Sequence, residues 1–389
     1  MFFNYYIPTK ILFGKGQLGN LHKQKLPGTN ALIVISSGNS VKKYGYLDRL
    51  TAELSKANVT FQIYDKVMPN PTKDGVMEAA QIAKQNKCDF VIGLGGGSAM
   101  DSAKATAIMA ANDGDLWDYF NGGSAKGMTI PNKPLPMIAI TTSAGTGTEA
   151  DPWMVITNTE LCEKMGFGYD ETYPVLSIVD PELMLTVPPH LTAYQGFDAL
   201  FHSTEGYINT IATTVSDIYA LKAINLVGKS LSNAVKNGND IEARTDIALA
   251  NTLSGFVEST SCCTSEHSLE HGISGLFPEV PHGAGLIMVS KEYYTFFANS
   301  GACNEKLVDM AHALGMKNAT KPMDFVAALT DLQKSCGVDN LKMSDYGIKR
   351  EHLPEILKMS RLVGANMFSM DCVILSDDDV MSILEKSYK

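Results

Sequence analysis

The sequence contains no long apolar run, no block of like charges and no regular cysteine framework. No segment reaches the about 18 consecutive apolar residues that a transmembrane helix requires, and the start MFFNYYIPTKILFG lacks the cationic and apolar regions of a signal peptide. A formal net charge of -10 disfavours nucleic acid and anionic membranes as main partners. We therefore expect a soluble, unexported protein with neither a nucleic acid nor a membrane as its partner.

The cysteines indicate a reducing compartment. There are seven of them, including the adjacent Cys262 and Cys263, and they form no CxxC pair. An odd number would leave one cysteine unpaired in an oxidising compartment. We therefore expect a cytoplasmic location, where thiols stay reduced.

The chain of 389 residues is long enough for two domains, and its 45% hydrophobic and 19% charged residues are typical of a globular protein. In the first half, apolar runs alternate with helical patterns, as in βαβ units around a parallel sheet covered on both faces. Strands are predicted at 31–36, 60–65, 89–94, 136–141, 154–157 and 176–180, and helices at 41–56 and 73–86. Beyond residue 185 apolar residues recur at helical spacing. We predict an α/β domain over 1–185 and an all-helical domain over 186–389.

Side chains in the second domain are candidate ligands of a divalent metal. Asp198 and His202 are four residues apart in GFDALFHSTEGY, so on a helix both leave the same face. His267 and His271 have the same spacing, and His282 follows a Pro-Glu-Val-Pro turn that brings it back towards them. Either cluster alone is more typical of a surface or capping interaction, but together they indicate a metal. One carboxylate with three imidazoles favours iron(II) or zinc(II), without distinguishing between these two.

A glycine-rich turn joins a strand to a helix in DFVIGLGGGSAMDSAKATAIMA. Gly96, Gly97 and Ser98 stand at the start of this helix, where backbone N–H groups and the helix dipole favour a diphosphate. The alternative is that Ser98 is an N-cap that forms a capping box with Asp101 and needs no ligand. The order GGGS-x-x-D-x-x-K is neither GxGxxG nor a Walker motif, so its place at the carboxyl end of a parallel strand is the stronger argument.

These motifs together resemble the iron-containing (group III) alcohol dehydrogenase family over essentially the whole chain. The resemblance extends from PTKILFGKG and MPNPT, through GGGSAMDSAK, AGTGTE and VDPEL, to GFDALFHSTEGY and the final LSDDDVMSILEKSY. Because SSGNSVKKYG follows the first nucleotide-binding strand, the chain is most similar to the NADP-dependent butanol dehydrogenase and aldehyde reductase branch. The resemblance also implies a homodimer or a larger homo-oligomer.

The resemblance implies roles for individual residues. Asp198, His202, His267 and His282 match the metal ligands, whereas His271 matches a residue beside the nicotinamide and the substrate that does not bind the metal. The remaining matches are cofactor contacts, namely Asn70, Gly97, Ser98, Asp101, Thr142, Ser143 and Lys164. The resemblance thus implies that 1–185 is the dinucleotide-binding domain and that 186–389 is the metal and catalytic domain. A solvated surface lysine explains Lys164 nearly as well, and an ordinary turn explains the loop after the strand at 136–141.

The turn after the first nucleotide-binding strand indicates the preferred cofactor. NAD-dependent members of the family commonly carry an aspartate there, which binds the ribose 2′-hydroxyl and repels a 2′-phosphate. In this chain residues 36–40 include no carboxylate, Ser40 can donate a hydrogen bond, and Lys42 or the following lysine adds positive charge. We therefore predict NADP(H), with Gly38 and Ser40 in the cofactor site. Asp65, near the end of the next strand, is the residue that most opposes this prediction.

The resemblance implies a metal-dependent NADP(H) alcohol dehydrogenase or aldehyde reductase that acts on small primary aldehydes and alcohols, such as butanal and butanol. The metal would polarise the carbonyl oxygen, and His271, or a water that it orders, would relay the proton. An NAD-dependent polyol or lactaldehyde-type dehydrogenase is the alternative in the same superfamily, and a dehydroquinate synthase type of lyase shares the fold and the metal plan. A non-enzymatic metal-dependent binding protein is a remote alternative.

Overall fold

The computed structural model describes residues 3–389, which divide into two compact units. The sheet unit consists of Ile7–Ser143 and Thr148–Thr186. The helical unit consists of Val187–Lys389 with Ala144–Gly147 and residues 3–6. The predicted fold class is confirmed, because a parallel sheet occupies the first half of the chain and helices occupy the second.

Parallel strands form the main sheet of the sheet unit. The strands in chain order are β1 Lys10–Phe13, β2 Asn30–Ser36, β3 Thr60–Val67, β4 Phe90–Gly95, β5 Met137–Thr141, β6 Met154–Asn158, β7 Glu163–Phe167 and β8 Leu176–Val179. Six of them form the sheet in the order β1-β8-β5-β4-β2-β3. The chain runs from β2 outwards to β3 and returns to β4 on the other side of β2, so the direction of winding reverses between β2 and β4. Ligands of such sheets bind at this reversal, beside the carboxyl ends of the strands.

The central strands are apolar because helices cover both faces of the sheet. The helices of this unit are α1 Ser40–Lys43, α2 Tyr46–Lys56, α3 Lys73–Gln85 and α4 Gly97–Ala111. Ile33 of β2 belongs to the buried cluster that contains Leu50 of α2, whereas its neighbour Leu32 belongs to the cluster that contains Ala79 of α3. Successive side chains of the strand therefore pack on opposite faces, which explains the continuous apolar run.

Three local features differ from the prediction. The helix predicted over 41–56 is divided into α1 and α2, because Gly45 between them adopts a φ of 73°. The predicted strand at 154–157 is β6, which pairs antiparallel with β7 outside the parallel sheet. β1 (KILF) and β7 (EKMGF) were not predicted, because each contains lysine within a short segment and neither forms a continuous apolar run.

Helices account for most of the helical unit. They are α5 Pro189–Ile208, α6 Thr214–Lys236, α7 Ile241–Thr260, α8 Ser265–Leu276, α9 His282–Ser300, α10 Asn304–Ala313, α11 Met323–Ser335, α12 Leu353–Phe368 and α13 Asp377–Ser387. α9 packs against both α5 and α8, and this arrangement positions the histidine-rich segments. Within residues 3–389, no helix combines the length and apolar character needed to cross a membrane.

Candidate metal centre and nucleotide loops

Three helices of the helical unit carry the predicted metal ligands. α5 carries Asp198 and His202 one turn apart, α8 carries His267 in its first turn, and α9 begins at His282. Pro281, in an extended conformation, precedes α9 and directs the chain into it. Because α9 packs against α5 and α8, the four side chains meet.

The three imidazoles converge on a single oxygen atom. Asp198 Oδ1 lies 3.5 Å from His202 Nδ1, 3.6 Å from His267 Nε2 and 3.4 Å from His282 Nε2. Donors at about 2.1 Å from a tetrahedral ion are separated by about 3.4 Å, since a tetrahedron's edge is about 1.6 times its centre-to-corner distance. The separations from Asp198 Oδ1 to the Nε2 atoms of His267 and His282 therefore suit a first-row divalent ion, whereas His202 Nδ1 also lies 3.2 Å from Gly145 O.

The cluster contains buried donor atoms that the protein does not satisfy. Asp198 Oδ1 and His267 Nε2 are buried, and neither has a hydrogen-bond partner among residues 3–389. An unsatisfied buried polar group costs about 1–3 kcal/mol. A bound cation would satisfy both atoms, so the residues present fit a metal ion.

The charge states of the cluster also suit a cation. Burial raises the pKa of Asp198, but His202 and His282 outweigh burial and hold this pKa well below its usual range. Burial lowers the pKa of His202 to about 3, opposed by Asp198 and assisted by the other two imidazoles. At neutral pH the site thus presents an ionised carboxylate and, at His202, a neutral imidazole. Both are ligand forms that divalent transition metals bind.

Two buried glutamates contact the opposite side of two of these histidines. Glu205 Oε1 accepts a hydrogen bond from His267 Nδ1, and Glu270 Oε2 accepts one from His282 Nδ1. Neither glutamate was predicted from the sequence. The available signal was helical spacing, since Glu205 follows Asp198 by seven residues and Glu270 follows His267 by three, which places each glutamate near a ligand on its own helix.

Glu205 changes the titration of its partner. Burial lowers the pKa of His267, but Glu205 and Asp198 outweigh burial and raise this pKa well above its usual range. A cation that bound at Nε2 would therefore have to displace a proton from this ring.

Cys263 is a further donor beside the cluster that was not predicted. Its Sγ lies within 4.8 Å of a ring nitrogen of His202 and of His267. The thiol donates to Glu258 Oε1 over 3.1 Å. Burial, with the nearby Glu258 and Glu205, raises its pKa well above the usual range. Cys263 therefore stays a protonated thiol at neutral pH and is a poorer ligand than the carboxylate and the imidazoles.

His271 lies beside the cluster but outside the group around Asp198. Its ring centroid is 6.4 Å from that of His267 and 5.8 Å from that of His282. It offers a ring nitrogen within 4.8 Å of donor atoms of Glu270 and His282. His271 therefore lies next to His282, which is one of the converging donors.

In the sheet unit, two loops that are distant in sequence meet at the carboxyl ends of β4 and β5. The N–H of Thr142 donates to Gly95 O over 2.8 Å. A Cβ atom on Gly96 would lie 3.1 Å from Ser143 Oγ. Gly95 has a φ of 156°, and a Cβ atom there would lie 2.8 Å from Ala99 Cβ. Glycine is therefore required where the turn at Gly95 and Gly96 passes between the loop after β5 and the first turn of α4.

The first turn of α4 is not a capping box. Its N-cap is Gly96, and no side chain within residues 3–389 caps it. Ser98 Oγ donates to Pro69 O, and Asp101 Oδ2 accepts from the N–H of Val155 over 3.0 Å. The capping-box interpretation is therefore wrong. The helix start keeps its uncapped N–H groups, which are the groups that bind anions at helix N-termini.

Asp101 and Lys104 form a buried network with the loop that precedes β6. Asp101 Oδ1 accepts from Thr148 Oγ1 over 2.7 Å. Lys104 Nζ, on a side chain 1% exposed, donates to Thr148 Oγ1 (2.6 Å), to Asp151 O (2.8 Å) and Oδ1 (3.1 Å), and to Trp153 O (2.6 Å). Burial raises the pKa of Asp101 to about 6, although Lys104 opposes this. The Asp101 carboxylate, predicted as a cofactor contact, is therefore bound by groups of the protein itself.

The other predicted cofactor residues lie on the same unit. Gly38 follows β2 and Ser40 begins α1, and both are exposed. β2 pairs with β4, which leads into the glycine turn. Asn70 follows β3. Lys164 lies within β7 and is only 4% exposed, so it is not a solvated surface lysine. Gly38 and Ser40 thus lie at the carboxyl ends of the strands, on the same side of the sheet as the glycine turn.

An ion pair stands beside the turn after β2. Lys42 Nζ lies 2.5 Å from Asp65 Oδ2 on β3, and both side chains are partly exposed. The hydrogen bond from Lys42 holds the pKa of Asp65 below its usual value. Asp65 is therefore ionised at neutral pH, with its charge offset by the lysine.

Comparison with known proteins gives matches over both halves of the chain. The family model described as iron-containing alcohol dehydrogenase matches residues 8–181, and the model for the C-terminal part of the Fe-containing alcohol dehydrogenase family matches residues 192–388. The chain is 39% identical over 319 residues to alcohol dehydrogenase 4 of Schizosaccharomyces pombe, covering 81% of this chain and 74% of that protein. It is 32% identical over 376 residues to 1,3-propanediol dehydrogenase of Klebsiella pneumoniae, covering 94% of each.

Further matches span nearly the full length of both proteins. NADH-dependent butanol dehydrogenase A of Clostridium acetobutylicum is 29% identical over 399 residues, covering 99% of each chain. The solved structure of ADH/D1, an archaeal halo-thermophilic alcohol dehydrogenase from a Red Sea brine pool, superposes with a TM-score of 0.94 at 33% identity, covering 100% of this chain and 99% of that chain. The chain therefore belongs to the iron-containing alcohol dehydrogenase family, whose members use a divalent metal and a nicotinamide cofactor.

Proposed function

We propose that this alcohol dehydrogenase transfers a hydride reversibly between NADP(H) and small primary aldehydes or alcohols of the butanal and butanol type. The observation that carries the proposal is the convergence of three imidazoles on Asp198 Oδ1, with separations from 3.4 to 3.6 Å. Reduction of a carbonyl requires an electrophile at the oxygen and a hydride donor at the carbon, and the family supplies nicotinamide as the donor.

In this proposal Asp198, His202, His267 and His282 hold one divalent ion. Three nitrogens and one carboxylate oxygen suit iron(II) or zinc(II) better than magnesium or calcium, which prefer oxygen ligands. Bound there, the ion would supply a Lewis acid that polarises a carbonyl oxygen and stabilises the charge that develops on it. The protein contributes the orientation of the four donors, three of which are nearly inaccessible to solvent.

His271 is the proposed proton carrier. Each hydride delivered to an aldehyde carbon must be matched by a proton delivered to the oxygen. His271 is 5% exposed and lies next to His282, and an imidazole can both accept and donate a proton. The ring would deliver the proton to the oxygen directly or through one water molecule.

The glycine turn of the sheet unit is the proposed pyrophosphate site. Gly96, Gly97 and Ser98 stand at the uncapped start of α4, which follows β4 at the reversal of the strand order. Asp101 would stabilise this turn through the hydrogen bonds that it accepts from Thr148 and Val155. The further cofactor contacts that we propose are Gly38, Ser40, Asn70, Thr142, Ser143 and Lys164.

Two features near β2 support NADP(H) as the cofactor. Residues 36–40 contain no carboxylate that would repel a 2′-phosphate. Lys42 pairs with Asp65 at 2.5 Å, so the nearest acidic group on β3 is already offset by a cation. A 2′-phosphate beside the end of β2 would therefore lie near the Ser40 hydroxyl and Lys42, and the acid on β3 would already be paired.

An NAD-dependent polyol dehydrogenase is the second candidate. Asp65 stays ionised, because the hydrogen bond from Lys42 lowers its pKa, and a carboxylate on β3 can bind a ribose hydroxyl. The names of two relatives, 1,3-propanediol dehydrogenase and NADH-dependent butanol dehydrogenase A, agree with a diol substrate or with NADH.

A cofactor and substrate panel separates the two candidates. The protein is loaded with iron(II) without oxygen, or with zinc(II), and oxidation of NADPH and NADH is followed with butanal and with lactaldehyde. The proposal expects the highest kcat/KM for NADPH with butanal. A higher value for NADH with lactaldehyde would instead establish the polyol-type enzyme.

Lys42→Ala tests the argument that this lysine favours NADP(H). Removing the lysine exposes a 2′-phosphate to Asp65, and two charges about 4 Å apart in water repel by about 1 kcal/mol, so the NADPH-to-NADH ratio of kcat/KM should fall about fivefold. Lys43→Ala is the matched control, since the Lys43 ammonium lies over the ring of Tyr44 at 5.3 Å from its centroid. An equal change in both variants would remove the role proposed for Lys42.

A further inference from the structure

Glu205 and Glu270 have the same relation to two of the proposed metal ligands. Both glutamates are fully buried. Each accepts a hydrogen bond from Nδ1 of a histidine, His267 or His282, whose Nε2 faces Asp198. Glu205 on α5 thus contacts α8, and Glu270 on α8 contacts α9. The three helices that build the cluster are linked by two equivalent glutamate–histidine pairs.

A carboxylate at Nδ1 decides what the other ring nitrogen can do. A neutral imidazole carries a single N–H, and an ionised carboxylate only accepts hydrogen bonds. In the neutral ring that binds a cation, the glutamate therefore keeps the proton on Nδ1 and leaves the lone pair on Nε2, the atom that faces Asp198. Without this partner both tautomers are accessible and the ring can rotate, so fewer molecules present a lone pair to an ion.

Glu205 is held by its own surroundings. Its Oε2 accepts from the N–H of Thr264 over 2.8 Å and from Thr264 Oγ1 over 3.2 Å, at the N-cap of α8. The N–H of His267 also lies 3.3 Å from the same oxygen. Glu205 thus fixes both the start of α8 and the ring of His267.

Glu270 occupies space that a glycine leaves open. A Cβ atom on Gly285, in the first turn of α9, would lie 2.8 Å from Glu270 Cγ and 3.2 Å from Glu270 Oε1. α9 can therefore approach the glutamate side chain because position 285 is glycine. This close approach brings His282, at the start of the same helix, onto the carboxylate.

We propose that Glu205 and Glu270 are positioning residues that fix His267 and His282 in the tautomer and orientation that present Nε2 to the metal ion. This inference rests on the proposed assignment of these histidines as ligands. Removal of such an outer partner typically weakens metal binding about 10–100-fold. Glu270 gives the cleaner test, since replacement of Glu205 also disturbs the start of α8.

The first readout is zinc affinity, measured by competition with a chelator and independent of turnover. Glu270→Gln should bind zinc about 10–100-fold more weakly than the wild type, with an unchanged circular dichroism spectrum. Gly285→Ala should weaken zinc binding in the same direction, because the methyl group displaces Glu270 while its charge is retained. Glu53→Gln is the matched control, as Glu53 is a buried glutamate that contacts Nδ1 of His22 in the sheet unit, and its zinc affinity should match the wild type.

The second readout reports the tautomer directly. In zinc-loaded protein with ¹⁵N-labelled histidine, nuclear magnetic resonance should show low-field protons bonded to Nδ1 of His267 and of His282. His22, whose Nδ1 contacts Glu53, can add a third such signal, which Glu53→Gln identifies. Glu270→Gln should shift the His282 signal towards that of a weaker hydrogen bond, or abolish it, and leave the His267 signal in place. A merely structural role of Glu270 would not produce this selective change.

The outcomes separate this inference from the proposed function. Wild-type zinc affinity and an unchanged His282 signal in Glu270→Gln would overturn the positioning role. If that variant does not fold, Gly285→Ala decides by the same criteria. His202→Ala tests the metal centre itself: if it too binds zinc like the wild type, the ligand assignment fails, whereas a loss confined to His202→Ala refutes only the positioning role.

Discussion

Lys104→Met should destabilise the sheet unit by about 3–5 kcal/mol, because it removes one partner of a buried ion pair. The side chain is 1% exposed, and its Nζ atom donates to Thr148 Oγ1, to Asp151 Oδ1 and to the carbonyl oxygens of Asp151 and Trp153. Methionine has a similar length but no donor. Asp151, itself 2% exposed, would keep its hydrogen bond from the N–H of Trp153 but lose its cation.

A double-mutant cycle isolates this interaction. Urea unfolding would be followed for Lys104→Met, Asp151→Asn and the double variant. Residues in direct contact typically couple by about 0.5–3 kcal/mol, so the double variant should be more stable than the sum of the two single changes predicts. The buried amide that Asp151→Asn introduces is neutral and requires no cation, which is the reason for this partial recovery.

An exposed lysine provides the control. Lys66 pairs with Glu78 at 2.6 Å on the surface, and Lys66→Met should change stability little, because water screens this pair. If Lys104→Met is also within about 0.5 kcal/mol of the wild type, a range typical of surface substitutions, the reasoning about the buried network is refuted.

Three further predictions concern the proton carrier, a buried acid and a glycine. His271→Ala should lower kcat about 10²–10⁴-fold with an unchanged metal content by elemental analysis, and an equal loss of metal would make His271 a ligand. Asp101 has its pKa raised to about 6 by burial, so its stabilising contribution is complete below about pH 4 and is lost as pH rises through 6. The stability difference between wild type and Asp101→Asn, measured by urea unfolding, should therefore fall over this window and stay flat above it. Gly147→Ala should destabilise the helical unit more than Gly301→Ala in thermal melts. Both glycines have positive φ, at 64° and 79°, but a Cβ atom on Gly147 would lie 2.5 Å from Gly255 N, whereas one on Gly301 meets no atom of residues 3–389 within 4 Å. Equal melting temperatures would contradict the steric argument.

The central strands were predictable because burial on both faces demands continuous apolar residues. β2 and β4 have this property, and their prediction is correct to within a residue. β1 and β7 escaped prediction because they are short and carry lysine, and their pairing depends on partners elsewhere in the chain. The break between α1 and α2 follows from the positive φ of Gly45. The sequence is compatible with a single helix and does not reveal this angle.

The candidate site was predictable where spacing along one helix sufficed. Asp198 and His202 are one turn apart, and a helix alone brings them together. Glu205 and Glu270 were missed because their partners lie on other helices, so only the packing of α5, α8 and α9 pairs them with histidines. The same holds for Lys104, whose four acceptor atoms come from a loop more than forty residues later. The homodimer and the cytoplasmic location stay predictions.

The central claim is that this chain transfers hydride to an aldehyde at a centre held by Asp198 and three histidines. The most direct measurement uses NADPH that carries deuterium at both hydrogen positions of nicotinamide C4, butanal, and mass spectrometry of the butanol formed. The account predicts one deuterium per butanol with metal-loaded wild-type protein, and none above background with the variant carrying His202→Ala and His267→Ala. Deuterium transfer that persists in this variant, or wild-type protein that binds metal but transfers no deuterium from NADPH or NADH to any aldehyde, would contradict the account.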